Sequence, residues 1–162
     1  MISDLHINHK NMVKKRGFAK PDDMWQLIKY NWNQTVHKKD KVYILGDLTM
    51  ETADYSWLDE LNGRKVVVLG NHDLEKHSRE LLNYVDNVVG CMKYKKFILT
   101  HIPIHESEVD RFKGNIHGHI HEKILVDTRY FNVCCEVVDY RPVLFEDILK
   151  EYDVDKALEK LV

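Results

Sequence analysis

Cysteine, proline and glycine are all scarce in this chain of 162 residues, at three, three and seven, and each shortage excludes something. Cys91 stands alone and Cys134 is followed directly by Cys135, so no even, spaced disulfide framework exists, and reduced thiols in an intracellular protein are expected. No proline-, glycine- or serine-rich linker, internal repeat or low-complexity tract divides the chain, which predicts a single domain over residues 1–162. Long apolar runs are lacking too. Those around Val42 to Leu45 and Val66 to Leu69 are far too short to cross a bilayer. The first residues, MISDLHINHK, bring charges at once with no apolar stretch, so no signal peptide is read there and a cytoplasmic protein is expected. Nor does one sign of charge dominate. Lys and Arg number 24 against 26 Asp and Glu, and the formal charge of −2 argues against a strongly basic nucleic-acid-coating protein or an acidic tail.

Histidine, by contrast, is plentiful: ten residues, more than the glycines. Imidazole is the commonest protein metal ligand and a frequent general acid or base, so the placement of those ten matters. The background is ordinary, with 44% hydrophobic and 31% charged residues, as in globular proteins. A chain of about 150 residues buries roughly 70% of its unfolded surface, enough for a substantial core.

Short β-type runs, each handing over to a polar cluster, recur along the chain. Lys41 to Leu45 leads into Gly46-Asp47, Arg64 to Leu69 into Gly70-Asn71-His72-Asp73, and Lys96 to Thr100 into His101. Asn115 to His121 is itself a short run ending in histidines, and Tyr130 to Val138 reads as a further strand. Continuous apolar runs of this length suit strands covered on both faces. Helical spacing fills the gaps. Pro21-Asp22 marks a helix start ahead of Met24, Trp25, Ile28, Trp32 and Val36; Trp57, Leu58 and Leu61 before Gly63 predict a short helix; a third spans roughly Glu75 to Tyr84; and Phe145 to Val162 reads as helix broken near Asp153. Alternating strands and helices predict a layered α/β fold, with ligands beyond the carboxyl ends of the strands, where the polar clusters fall.

Those clusters hold a ligand set. Asp4 and His6 are two apart, as are His119 and His121, so in extended chain each pair points one way. Asp47, Asn71, His72 and His101 each follow a strand. Taken singly, Asp47 or Asn71-His72 reads as a turn, and His101 as a satisfied core histidine. Jointly they supply imidazoles, carboxylates and an amide oxygen without a cysteine, a set suited to Mn, Fe, Zn and similar divalent ions. The supply exceeds one tetrahedral site and fits two metals sharing a carboxylate, with Asp47 the natural bridge.

Asp4-Leu-His6, Gly46-Asp47, Gly70-Asn71-His72-Asp73, His101 and Gly118-His119-Ile-His121 resemble, in order, the five motifs of the calcineurin-like metallophosphoesterases. His9, Asn11, the His101-Ile-Pro103 string and IHGHIH further resemble its small bacterial and phage branch. The resemblance implies an αββα sandwich of two mixed sheets flanked by helices. It implies one metal on Asp4, His6, Asp47 and His121 and a second on Asp47, Asn71, His101 and His119, with manganese foremost and Fe, Zn, Ni or Co as alternatives. It implies in-line attack on phosphorus by a bridging hydroxide, with His72 protonating the leaving oxygen and Asp73 holding the other ring nitrogen of His72. One departure stands out: the family has a core strand before its first motif, whereas only Met1-Ile2-Ser3 precede Asp4, so either that strand is very short or the natural start lies upstream.

The implied activity is hydrolysis of a phosphodiester or phosphomonoester in a small, nucleotide-like substrate. The alternatives are a nuclease and, in another class, a metal-stabilised binding module whose site has decayed; intact His72 and Asp73 argue against the latter. His9, Asn11 and His105 are candidate substrate contacts. His117 reads as a supporting or packing residue, His37 and His77 as surface, and Lys10, Lys14, Lys15 and Arg16 as a solvated charge run. Trp25 and Trp32, seven apart, read as core rather than a stacking platform.

Overall fold

Short β-prone runs, rich in valine and isoleucine in the first sheet and in aromatic residues in the second, give this chain its two sheets. The computed structural model describes residues 1–50 and 54–159. Strands β1 (Lys41–Ile44), β2 (Arg64–Val68) and β3 (Asn87–Val89) form a parallel three-stranded sheet in that order. Strands β4 (Met92–Tyr94), β5 (Phe97–Leu99), β6 (Asn115–His117) and β7 (Tyr130–Asn132) form a second, mixed sheet in which only the β4–β5 pair is antiparallel.

Strand parity divides the core in two. Val42, Ile44 and Val67 point to one face of the first sheet, among Met24, Ile28 and Trp32 of helix α2 (Pro21–Thr35) and Leu81 of the one-turn helix α3 (Ser78–Leu81). Tyr43, Leu45, Val66 and Val68 point to the other face, against Phe97, Leu99, Ile116 and Phe131 of the second sheet. Both faces being covered, β1 from Val42 and β2 from Val66 are apolar at consecutive positions instead of alternating with polar residues. The outer side of the second sheet is polar: Asn115 and Tyr130 hydrogen-bond the loop at Ile104 that leads to helix α4 (Glu106–Val109). Two sheets between helices thus form the expected α/β sandwich. Helix α5 (Phe145–Glu159) adds Phe145 and Ile148 to the inter-sheet core.

Ile2 and Ser3, ahead of Asp4, lie between the two sheets. Ile2 pairs in parallel with Ile44 of the first sheet, and Ser3 with Cys134 beyond β7 of the second. Leu45 N–H donates to the Ile2 carbonyl at 2.8 Å and Ser3 N–H to the Val133 carbonyl at 2.8 Å, so this short segment stitches the two sheets together.

Several elements depart from expectation. The strand predicted over Tyr130 to Val138 stops at Asn132, because Val138 N–H turns back to the Cys134 carbonyl and Asp139 and Tyr140 take positive φ. The strand predicted to His121 stops at His117, before left-handed His119. The helix expected over 57–61 is a 3-10 turn, Ser56–Glu60, and that over 75–84 is a 3-10 turn followed by α3. Helix α5 runs through Asp153 without a break; residues 160–162 lie outside the described part. Strands β3 and β4, three residues each and partly exposed, were not foreseen.

Candidate active site

The carboxyl ends of β1, β2, β5 and β6 all open onto one edge of the sandwich, and the candidate ligands follow them. The parity argument for Asp4/His6 and His119/His121 does not hold, since none of the four is in extended chain. Asp4, His6, Asp47, His119 and His121 all have left-handed backbone, with φ of 57°, 48°, 53°, 72° and 53°. Such conformations cost about 1–3 kcal/mol each outside glycine and concentrate at functional sites. Here each kink turns a side chain out of the sheet plane into a common space. Two glycines allow the close approach. A Cβ on Gly70 would lie 2.3 Å from Asp47 Oδ1, and one on Gly118 would lie 2.0 Å from Ser3 Oγ and 2.4 Å from Asp4 Oδ2.

Asp4, His6, Asp47 and His101 form a buried floor; His72, His119 and His121 are partly exposed and Asn71 is exposed. Asp4 Oδ2 accepts from Ser3 Oγ at 2.6 Å, His119 N–H at 2.8 Å and Cys134 Sγ at 3.2 Å, leaving Oδ1 without a hydrogen-bond partner. Both ring nitrogens of buried His6 also lack one. Its Nε2 lies 3.6 Å from Asp4 Oδ1 and 3.6 Å from Asp47 Oδ2, beyond a hydrogen bond. That spacing matches two ligands of one ion, about 3.4 Å apart in a tetrahedron of ~2.1 Å bonds.

His101 makes the same point more sharply. Its Nδ1 lies 2.7 Å from the Leu45 carbonyl, to which it must donate, so in the neutral ring Nε2 carries a lone pair. That lone pair faces Asn71 Oδ1 at 2.9 Å and Asp47 Oδ2 at 3.4 Å, and the same Asn71 oxygen lies 2.9 Å from His119 Nδ1. With the neutral rings in these tautomers the acceptors face one another, and a cation between them would satisfy them together. The side chains group as Asp4, His6 and His121 and as Asp4, Asp47 and His101, each with ligand atoms within 4.8 Å of one another. The donor set therefore fits divalent metal. Burial would raise the Asp4 and Asp47 carboxyls, yet both lie below the usual range. His6, His101, the Ser3 hydroxyl and the His119 amide hold Asp4 down; His101 and the His72 amide do so for Asp47.

The supporting residues were mostly not visible in the sequence. Glu136 Oε1 lies 2.9 Å from His121 Nδ1 and accepts from Arg16 Nε at 2.9 Å, fixing the ring so that Nε2 faces inward. Arg16, expected in a solvated charge run, has a buried side chain and also donates to the Asp4 and Leu5 carbonyls at 2.6 and 3.2 Å. The one signal was a lone glutamate within the apolar stretch from Phe131 to Val138.

Asp73 is a correction. Instead of holding the His72 ring, its carboxylate accepts from the amides of Asp47 at 2.7 Å, Gly70 at 2.9 Å and Leu48 at 3.0 Å. It ties the β1 and β2 loops together and acts as a positioning residue. His72 N–H donates to Asp47 Oδ1 at 2.9 Å, and its ring meets that of His6 edge-on at 5.6 Å. His9 also reaches the cluster, its ring 5.4 Å from that of His6 while its Nδ1 caps helix α1 (Lys10–Lys15). Asn11 is exposed on α1. His105 is exposed and caps α4 through the Ser107 amide, so it is not drawn into the cluster. His117 is buried, Nδ1 against the Gly118 carbonyl at 2.9 Å.

Comparison with known proteins agrees with this geometry. The family model described as calcineurin-like phosphoesterase matches residues 1–158. The uncharacterized protein MJ1445 of Methanocaldococcus jannaschii is 31% identical over 174 residues, covering 99% of this chain and 94% of its own. The gene 66 protein of Mycobacterium phage D29 is 31% identical over 160 residues, covering 78% of this chain and 79% of its own. A crystal structure of a protein of unknown function, AQ665 from Aquifex aeolicus, superposes with a TM-score of 0.71 at 27% identity, over 92% of this chain and 96% of that one.

Proposed function

The chain belongs to the calcineurin-like phosphoesterases, and from that premise we propose that it hydrolyses a small, nucleotide-like phosphodiester or phosphomonoester with two divalent metal ions. The observation that carries this reading is the convergence of unpartnered or facing polar atoms: Asp4 Oδ1, the ring nitrogens of His6, one of which carries a lone pair, and His101 Nε2 facing Asn71 and Asp47. One ion is assigned to Asp4, His6, Asp47 and His121, the other to Asp47, Asn71, His101 and His119, with manganese the first choice. When bound, the ions polarise the phosphate oxygens and supply a nucleophile from water at neutral pH.

The chain's own groups do the rest. His101 and His121 are held in fixed orientation by the Leu45 carbonyl and by Glu136. Asp73 keeps Asp47 and the Gly70 loop in register. His72, anchored to Asp47 through its amide and open to solvent on one side, donates a proton to the leaving oxygen. The near-neutral charge supports a small substrate over long nucleic acid.

The test is turnover of bis(p-nitrophenyl) phosphate and p-nitrophenyl phosphate with Mn, Ni, Co, Zn or Fe. Metal-dependent hydrolysis of at least one ester is expected, abolished by chelator. His72→Ala should keep two bound metals and lose about 10²–10⁴-fold in kcat. No turnover of either ester with any of the five metals would overturn the proposal; loss of a metal in His72→Ala would overturn the role given to that residue.

A further inference from the structure

A cavity of about 370 Å³ is walled by Ile7 and Asn8, which follow His6 in the chain, and by Trp25, Asp54, Ser56, Trp57 and Glu60. Asn8 is two residues past His6, so their Cα atoms are at most about 7 Å apart. Asn8 takes left-handed backbone, φ 65°, and the ring of the next residue, His9, lies 5.4 Å from that of His6.

The wall is aromatic and preformed. Trp57 is buried, and its indole N–H donates to the Asp54 carbonyl at 3.1 Å, which locks the ring. Trp25 meets it edge-on, with centroids 5.6 Å apart at 73°. On α2, Met24, Ile28 and Trp32 are the buried stripe, whereas Trp25 stands one position off it and is half-buried, facing the cavity. A large aromatic ring that helix packing does not fully use thus lines an open space walled in part by the residues that follow His6.

The charged groups on this wall are carboxylates: Asp54, which accepts from the Ser56 hydroxyl at 2.7 Å, and Glu60, paired with Lys29. They disfavour a further phosphate and accept hydrogen bonds from amino groups.

We propose that this cavity is the base subsite of the enzyme. The phosphate ester lies at the Asp/His cluster, the nucleobase lies on Trp25, and its amino edge faces the carboxylates. The proposal rests on the phosphoesterase reading and narrows its substrate to nucleoside monophosphate esters carrying an amino-substituted base. Base-on-aromatic stacking tolerates a shallow, open cavity because every base offers a flat face.

The test uses the manganese-loaded full chain and matched pairs of esters: the methyl ester of adenosine 5′-monophosphate against that of ribose 5-phosphate, and the corresponding monoesters. p-Nitrophenyl esters are unsuitable as the baseless standard, since their own ring can stack. The base-bearing member is expected to have about tenfold higher kcat/KM, through KM. Trp25→Leu should lower that ratio about tenfold, while Trp25→Phe, which keeps a flat ring and the packing against Trp57, should retain most of it. A wild-type ratio near one, or a ratio unchanged in Trp25→Leu, overturns the subsite. If p-nitrophenyl phosphate is turned over without any base preference, the subsite falls and the phosphoesterase reading stands; if no ester of any kind is turned over, both fall.

Discussion

Glu136 shows why the residues that hold a site are harder to read than those that form it. The ligands stood in motifs, each at the end of an apolar run, but Glu136 lies 15 positions from the histidine it touches and Arg16 120 positions from Glu136. Nothing in Lys14-Lys15-Arg16 distinguishes the arginine that folds inward from the lysines that do not. Asp73, expected to hold the His72 ring, instead accepts from three amides, and its sequence position does not show that they compete for its oxygens. The Glu136 pair makes a pH prediction. Burial pushes its carboxyl up, but His121 and Arg16 outweigh that and bring it from 4.5 to about 2. A carboxyl depressed in the fold adds stability that is fully present above its unfolded value and is lost as pH falls through its folded value. The window is therefore pH 4.5 down to 2, and the full shift corresponds to about 3 kcal/mol. Urea denaturation of metal-stripped protein should show a steeper loss over that window in wild type than in Glu136→Gln; equal slopes would refute the coupling. With metal restored, Glu136→Gln should bind it about 10–100-fold more weakly, measured by titration.

At the scale of elements, the long periodic segments were legible and the short ones were not. Helix α2 has a proline start and a four-residue apolar repeat, and β1 and β2 run into consecutive β-branched or aromatic residues after a basic start, so local preference and burial agree. Strands β3 and β4 owe their existence to neighbours that supply the hydrogen bonds, and three partly exposed residues carry no pattern of their own. The strand ends were misread for a related reason. Left-handed backbone at His119 and His121 is imposed by what surrounds them, since neither residue is a glycine. Gly118 is where that surrounding is tightest, with Ser3 and Asp4 occupying the place of a side chain. Gly118→Ala must therefore displace the Asp4 carboxylate or the β6 loop. A shift of about 1 Å at such a group costs on the order of a hundredfold in turnover, and overpacking costs about 1–3 kcal/mol of stability. Gly90→Ala, where an added Cβ meets nothing within 4 Å, is the matched control and should change stability by less than about 1 kcal/mol. Equal effects of the two substitutions on turnover and on denaturation midpoint would show that the close approach at Gly118 is not what positions Asp4.

For the whole molecule, the candidate centre lies where the two sheets meet, and this links metal to stability. Asp47 and Asn71 come from the ends of the first sheet, and His101, His119 and His121 from the second. Asp4 and His6 come from the segment that crosses between them, tied to one sheet at Ile2 and to the other at Ser3. Which strands would be neighbours was not in the sequence, but the placing of three motifs at the carboxyl ends of strands was, because Asp47, Asn71-His72 and His101 each follow an apolar run. Without ions, buried Asp4 and Asp47 carboxylates face unpaired imidazole nitrogens of His6, and several left-handed residues are held by packing and by hydrogen bonds to their amides. Ions binding the folded chain alone, at a hundred to a thousand times Kd, stabilise it by about 3–4 kcal/mol. For a chain of this size each kcal/mol moves Tm by roughly 2–4 °C. Adding Mn²⁺ to chelator-treated protein should thus raise Tm by about 10 °C, saturably and reversibly, and Asp4→Asn combined with His6→Ala should remove most of the shift. Slower hydrogen exchange at the amides of Leu45, Ser3 and Cys135 should accompany it, since those bonds join the sheets the ions would clamp. A metal-independent Tm, with exchange at those amides unchanged, would mean that the cluster is already satisfied without ions and that the converging lone pairs have been misassigned.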